Sequence, residues 1–197
     1  MIRKLFLAVA LTCISPSLAL SDDRESNIIF GHDFDLAQIR KETEFTVVIQ
    51  DGVTDGCWLN AARAKSQIER ELLDAGYLRI VEKRVWGVEI FVEVIGFATT
   101  QGQCAAHVTY DLSLSDGDFR QNDDYQWIAV KYLRAASFGF LLTGPKNSIS
   151  GRINDAIAGI TDEVLVDIQQ AKNAVFSAIE EAEGSEGAKA YLKLVLE

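Results

Sequence analysis

Four side chains of the kind that bind zinc stand in the chain beyond its first twenty residues: His32, Cys57, Cys104 and His107. Structural zinc sites draw their ligands as close pairs that converge on one point. The closest pair here is Cys104 and His107, and an odd spacing on a strand sends the two to opposite faces. The set therefore predicts no metal. Cys57 falls near an expected helix start, where a free thiol would ionise readily and act as a nucleophile. No Cys-x-x-Cys accompanies it, so a redox role has no second sulfur at the required spacing. Asp116-Gly117-Asp118 and Asn122-Asp123-Asp124 offer oxygen ligands for calcium, but lack the alternating acids, mid-loop glycine and terminal glutamate of an EF-hand. Gly144-Pro145-Lys146-Asn147-Ser148 precedes a helix and lacks the glycine spacing of a phosphate loop. Neither a nucleophile elbow nor a metalloprotease helix motif occurs. No catalytic residue and no cofactor follow from these motifs.

The compartment decides how the cysteines are read. Arg3 and Lys4 precede an apolar run from Leu5 to Ile14, and Ser15-Pro16-Ser17-Leu18-Ala19 ends in small residues. That is the form of a secretory signal peptide cleaved after Ala19. The run is too short to span a bilayer, which takes about 20 residues. Cys13 follows Thr12, a poor residue for a lipobox, so lipidation is not expected. A periplasmic or secreted product retains two cysteines, and an even count in an oxidising compartment reads as a Cys57–Cys104 disulfide closing a 48-residue loop.

Charge narrows the partners. The full chain carries −10, and loss of Arg3 and Lys4 takes the mature chain to −12. A body that negative is repelled by nucleic-acid phosphate and by anionic lipid. The densest basic patch, Glu82-Lys83-Arg84, is too short to compensate. Nucleic-acid binding is excluded, and no integral membrane segment is expected after cleavage. Residues 20–197 suit one globular domain, with 20–27 polar and disordered.

The elements that would carry any site follow from periodicity. Phe45 to Gln50 reads as a strand buried on both faces. Thr54-Asp55 is expected to cap a helix starting near Cys57 and ending at Ala75, with Gly76 as a left-handed stop. Tyr77 to Val81 reads as the next strand, parallel to the first through a right-handed crossover. Val88, Ile90, Val92 and Val94 then alternate with Glu89 and Glu93. Cys104, Ala106, Val108, Tyr110, Leu112 and Leu114 alternate with His107, Thr109, Asp111 and Ser113. That period of two describes an antiparallel hairpin with one face covered and one open. Ser115 to Asp124 reads as an acidic loop, Ile128 to Leu142 as a strand with a bulge at Gly139, and Gly144-Pro145 as a turn. From Ser150, apolar residues recur every three or four positions from Ile153 to Ile179, an amphipathic helix. Unbroken over 150–183 it would measure about 51 Å, against a domain diameter of roughly 40 Å. It must break, with Gly159 and Thr161 offering a site, or overhang and expose its stripe. Gly184 to Gly187 interrupts it before a last short helix.

The first strand, Asp55-Gly56-Cys57-Trp58 and Gly102-Gln103-Cys104 together resemble a group of exported proteobacterial proteins over roughly residues 45–170. The resemblance implies the disulfide and an exported domain, and brings no activity. The expected fold is α+β: a mostly antiparallel sheet of about five strands with one parallel β-α-β crossover, packed by a first helix and a long C-terminal helix. The candidate partner-binding surface is the polar hairpin face, His107, Thr109 and Asp111 beside Glu89 and Phe91, with Trp58 and Trp86 as aromatic anchors. The expected function is a non-enzymatic periplasmic binding or accessory module. A hydrolase-type enzyme assembled from distant residues, or self-association through the 150–183 helix, are the alternatives.

Overall fold

The computed structural model describes residues 32–82, 86–99, 102–121 and 126–196. The segment read as a signal peptide, the 20–27 segment and Asn122 to Asp124 lie outside the described residues. The elements run α1 (His32–Ala37), β1 (Glu44–Val53), α2 (Ala61–Asp74), β2 (Arg79–Ile80), β3 (Gly87–Ala98), β4 (Gln103–Gln121), β5 (Gln126–Pro145) and α3 (Lys146–Leu196). The strands form one sheet in the order β2-β1-β3-β4-β5. This is the α+β architecture expected, with the helices on one face and the other face open.

The crossover is present but smaller than expected. Of Tyr77 to Val81, only Arg79 and Ile80 pair, parallel to Glu44 and Phe45. A second parallel pair was not foreseen: β3 lies along the other side of β1, from Phe45↔Val88 to Val53↔Gly96. The antiparallel ladders β3–β4 and β4–β5 are longer and dominate the sheet. On the covered face, Val88, Ile90, Val92 and Val94 of β3 and Ala106, Val108, Tyr110 and Leu112 of β4 are buried, as their alternation requires.

Helix α2 starts later than predicted. Positive φ angles at Asp55 and Gly56 turn the chain away from a helical path, and Cys57 and Trp58 enter the core instead. Thr54 and Asp55 do not cap. The Thr54 amide donates to the Gly96 carbonyl (2.9 Å), and the Asp55 carboxylate accepts from the Ala98 amide (3.4 Å), so both hold the loop to β3. Asn60 occupies the cap position without a side-chain bond. The other end is as expected. Gly76, at φ 91°, lets its amide reach the Leu73 carbonyl and the Tyr77 amide reach Leu72, a Schellman closure.

Three further expectations are corrected. The acidic segment from Ser115 is not a loop, because β4 continues to Gln121 and pairs with β5 well past the end of β3. The ladder's irregularity lies between Leu112 and Ser113, not at Gly139: Ala136 opposes Leu112 and Arg134 opposes Ser113, leaving Ala135 as the extra, buried residue. Gly144-Pro145 makes no separate turn. Strand β5 runs through Pro145 and the helix begins at the next residue, with the Lys146 amide held by the Gly102 carbonyl (3.0 Å).

Helix α3 does not break at Gly159. Its one non-helical residue is Gly184, at φ 76° and ψ 178°, a conformation open essentially to glycine alone. The 38 residues before it span about 57 Å. Thr161 starts no new helix because its hydroxyl donates back to the Ile157 carbonyl (3.0 Å) within the same turn. The apolar stripe is not left bare: Ile149, Ile153, Ile157, Val164, Ile168, Ala171 and Val175 are all buried. α1, unforeseen in the sequence, helps cover it with Leu36 and Ala37. The motive for self-association through this helix, an exposed stripe, is thereby removed.

The Cys57–Cys104 disulfide is formed, with Cα atoms 5.9 Å apart, and both residues are buried. It joins the β1–α2 loop to the start of β4. The neighbouring Trp58 indole donates to the Asn154 side-chain oxygen (2.8 Å), tying the same loop to α3. Replacing both cysteines by alanine should cost up to about 4 kcal/mol for a loop of this length, read as a lower midpoint in denaturant unfolding. The native bond should resist dithiothreitol until denaturant is added.

Candidate functional site

The outer face of the sheet is built by alternation on three antiparallel strands. Residues opposite each other across β3, β4 and β5 form rows: Phe91–Asp111–Ser137, Glu93–Thr109–Gly139, Ile95–His107–Leu141 and Phe97–Ala105–Thr143. The structure thus brings together Glu89, Phe91, His107, Thr109 and Asp111 as expected. It separates Trp58 from them. Trp58 is 4 % exposed and belongs to the core, so it is no surface anchor. Trp86 lies just before β3, in a cleft of about 560 Å³ with Ile39, Arg40, Val88 and Leu114. Eleven residues of extended strand, roughly 36 Å, divide Trp86 from Phe97.

The polar rows are largely satisfied within the sheet. Asp111 accepts from the Ser137 hydroxyl and faces the Arg134 guanidinium at 3.5 Å. The Tyr132 hydroxyl donates to Ser113 Oγ (2.8 Å). The His107 ring Nδ1 stands 3.5 Å from the Thr109 hydroxyl, and Asp111 is four positions along the strand, about 14 Å away. His107 consequently meets a hydroxyl but no carboxylate, and it lines neither described cleft.

The apolar rows are different. Ile95 is 52 % exposed, Phe97 56 % and Leu141 67 %. Ile95 and Phe97 stand together at the end of the face on β3, and Leu141 lies on β5 with His107 of β4 between. The sequence held part of this signal, since Ile95 and Phe97 continue the outward parity of Glu89, Phe91 and Glu93. Leu141 required the register of β5, which the expected bulge at Gly139 had displaced.

Beneath the sheet, the ionisable groups are buried between helices. Tyr110 donates to Thr161 Oγ1 at 3.4 Å, because that hydroxyl's own hydrogen goes to Ile157; burial raises the Tyr110 phenol strongly. Burial also pushes the Tyr77 phenol up to about 12. Lys172 lies 5.6 Å from the Tyr77 ring centre as a cation–π pair, and burial, then Lys41, lowers its pKa. Glu71 faces α3 from α2. One of its oxygens accepts from Gln67 (3.2 Å) and the other is buried without a partner. Burial first, with Asp162 adding repulsion, raises the Glu71 carboxyl above its usual range.

Compared with known protein families and with curated proteins, the chain matches none. Among the described residues, no helix is long and apolar enough to cross a membrane, and no group of three or more histidine, cysteine or acidic side chains gathers as a metal site.

A raised carboxyl pKa in the folded state opposes folding once the group must ionise. The cost is absent below the pKa that the unfolded chain has, and grows as pH rises through the folded value. Glu71→Gln should therefore raise the melting temperature at pH 7 and above. That gain should fade as pH is lowered into the ordinary carboxylate range, as a series of thermal melts would show.

Proposed function

We propose that the chain is an exported, non-enzymatic binding or accessory protein of the periplasm or extracellular space, and that it holds a protein partner on its outer sheet face. The observation that carries this is the exposure of Ile95, Phe97 and Leu141. Single exposed apolar side chains are ordinary on a protein surface. Three large ones at one end of one sheet face, two on β3 and one on β5 with His107 between them, have the composition of a recognition patch. The buried disulfide supports the compartment, since such bonds persist where the surroundings are oxidising. The mature charge of −12 favours a partner whose contacting rim is basic.

Two measurements test the reading. Intact mass of the exported product should correspond to residues 20–197 less the two hydrogens lost to the disulfide. A full-length mass, or one with both thiols free, would remove the compartment. Capture from a periplasmic extract should return a partner with the wild-type chain and lose it with Ile95→Lys or Phe97→Lys. Val166→Lys, at an exposed position on α3, should keep it. Equal capture by all four chains would sink the partner surface.

A further inference from the structure

The end of the sheet away from the disulfide is open. There β1 and β3 begin side by side, and β4 passes them at Leu114 and Ser115. Between these strands and the α1–β1 connection lies the cleft of about 560 Å³ that holds Trp86. Small-molecule sites run from roughly 300 to 1,000 Å³, so the space suits a ligand of one or two rings. Its apolar part is Ile39 and Val88, both buried, with half-buried Leu114. Much of its polar part comes from the chain between Arg40 and Glu44.

Trp86 is fixed at this mouth by the residue after it. Gly87 has φ 121°, and a Cβ there would overlap the Glu44 carbonyl oxygen. β3 can start this close to β1 only because the position is glycine. The indole itself is half-buried and lines the cleft.

The charged groups around the indole balance. Glu44 is paired with Arg79. Among the described residues, the Arg40 guanidinium and the Glu42 carboxylate make no hydrogen bond or ion pair, and Glu42 acts on Lys172 only at longer range. Thr43 Oγ1 accepts from the Arg40 amide (2.8 Å), which leaves the hydroxyl's own hydrogen to donate. An aromatic surface therefore shares the cleft with an unpaired donor, an unpaired acceptor and a hydroxyl, and their charges cancel.

We infer that this cleft binds a neutral saccharide, with one sugar ring lying on the Trp86 indole and its hydroxyls held by Arg40, Glu42 and Thr43. The C–H groups on a pyranose face are weakly positive and rest on the negative face of an aromatic ring. Hydroxyls both donate and accept, so one ligand matches Arg40, which only donates, and Glu42, which only accepts. A wholly apolar ligand would take both from water without a partner. An anion would leave Glu42 unmatched and would approach a mature chain of −12. A free amino acid also offers both charges. Arg40 and Glu42 are exposed, however, and charge pairing adds little there, so stacking and several hydrogen bonds decide. The site is separate from the outer sheet face, since Val88 belongs to the covered side.

The test is titration calorimetry of the mature chain with maltose, cellobiose and di-N-acetylchitobiose. Glucuronate and phenylalanine serve as anionic and zwitterionic comparisons. At least one disaccharide should bind more tightly than either comparison. Trp86→Ala should weaken that binding by about tenfold or more, and Trp86→Phe, which keeps a ring, by less. Arg40→Ala should weaken it by about threefold or more. Circular dichroism should be the same for each chain. Ile95→Lys should bind sugar as the wild type does, so loss of the outer-face partner and loss of the sugar are read separately. Absence of binding by every disaccharide overturns the proposal, as does tighter binding of glucuronate or phenylalanine. A disaccharide held equally well by the wild type and by Arg40→Ala and Trp86→Ala also sinks it. Should Trp86→Ala fail to fold, the exposed Arg40 position carries the test alone.

Discussion

The fold depends on a fastening at one end of the sheet, where the buried Cys57–Cys104 bond joins two segments that are 47 positions apart. Three chain connections meet there: the loop after β1, the turn before β4 and the junction between β5 and α3. Around the sulfurs, Trp58 bonds to Asn154, the Leu59 amide to the Ser150 hydroxyl, and the Lys146 amide to the Gly102 carbonyl. Each of these contacts spans a long stretch of sequence. Closing such loops is entropically expensive, and the covalent bond reduces that cost by restricting the unfolded chain. A parallel β1–β3 pair joined through α2 and β2 is a non-local arrangement that gains from this help.

Helix α3 supplies the lid on the covered face, and its composition shows how a long helix can be buried without being wholly apolar. Asn154, Thr161 and Lys172 interrupt its stripe. Each has an answer in the packing: an indole donor, a phenol with a carbonyl, and an aromatic ring. These polar meetings fix the rotation and register of the helix on the sheet more narrowly than aliphatic contact alone. Elsewhere, among the described residues, one carboxylate oxygen of Glu71 on α2 and the Thr46 hydroxyl on β1 are buried without such an answer.

Much of this architecture was legible wherever a single period ruled. The alternation of Val88 to Val94 and of Cys104 to Leu114 identified both strands and their faces, and the three-four spacing from Ile153 identified the helix. The cysteine count and a signal-like leader together identified the bridge. What escaped depended on tertiary context. Parallel pairing of β1 with β3 leaves no local mark, because a strand covered on both faces reads alike in either direction. The continuation of β4 through Asp116 to Gln121 was masked by turn-forming residue types that pairing with β5 overrides. Gly159 resembles a helix end, yet burial on either side outweighs the roughly 1 kcal/mol a helical glycine costs. Of the candidate surface, strand parity placed five residues correctly. Trp58 failed because aromatic type says nothing about direction, and only the turn at Asp55 and Gly56 sends it inward.

The depth of the sulfur bridge also orders events during folding. With Cys57 0 % and Cys104 1 % exposed, no oxidant or thiol exchange catalyst can touch either atom once the lid has docked. Oxidation is therefore easiest before α3 has docked, while the two sulfurs can still be reached.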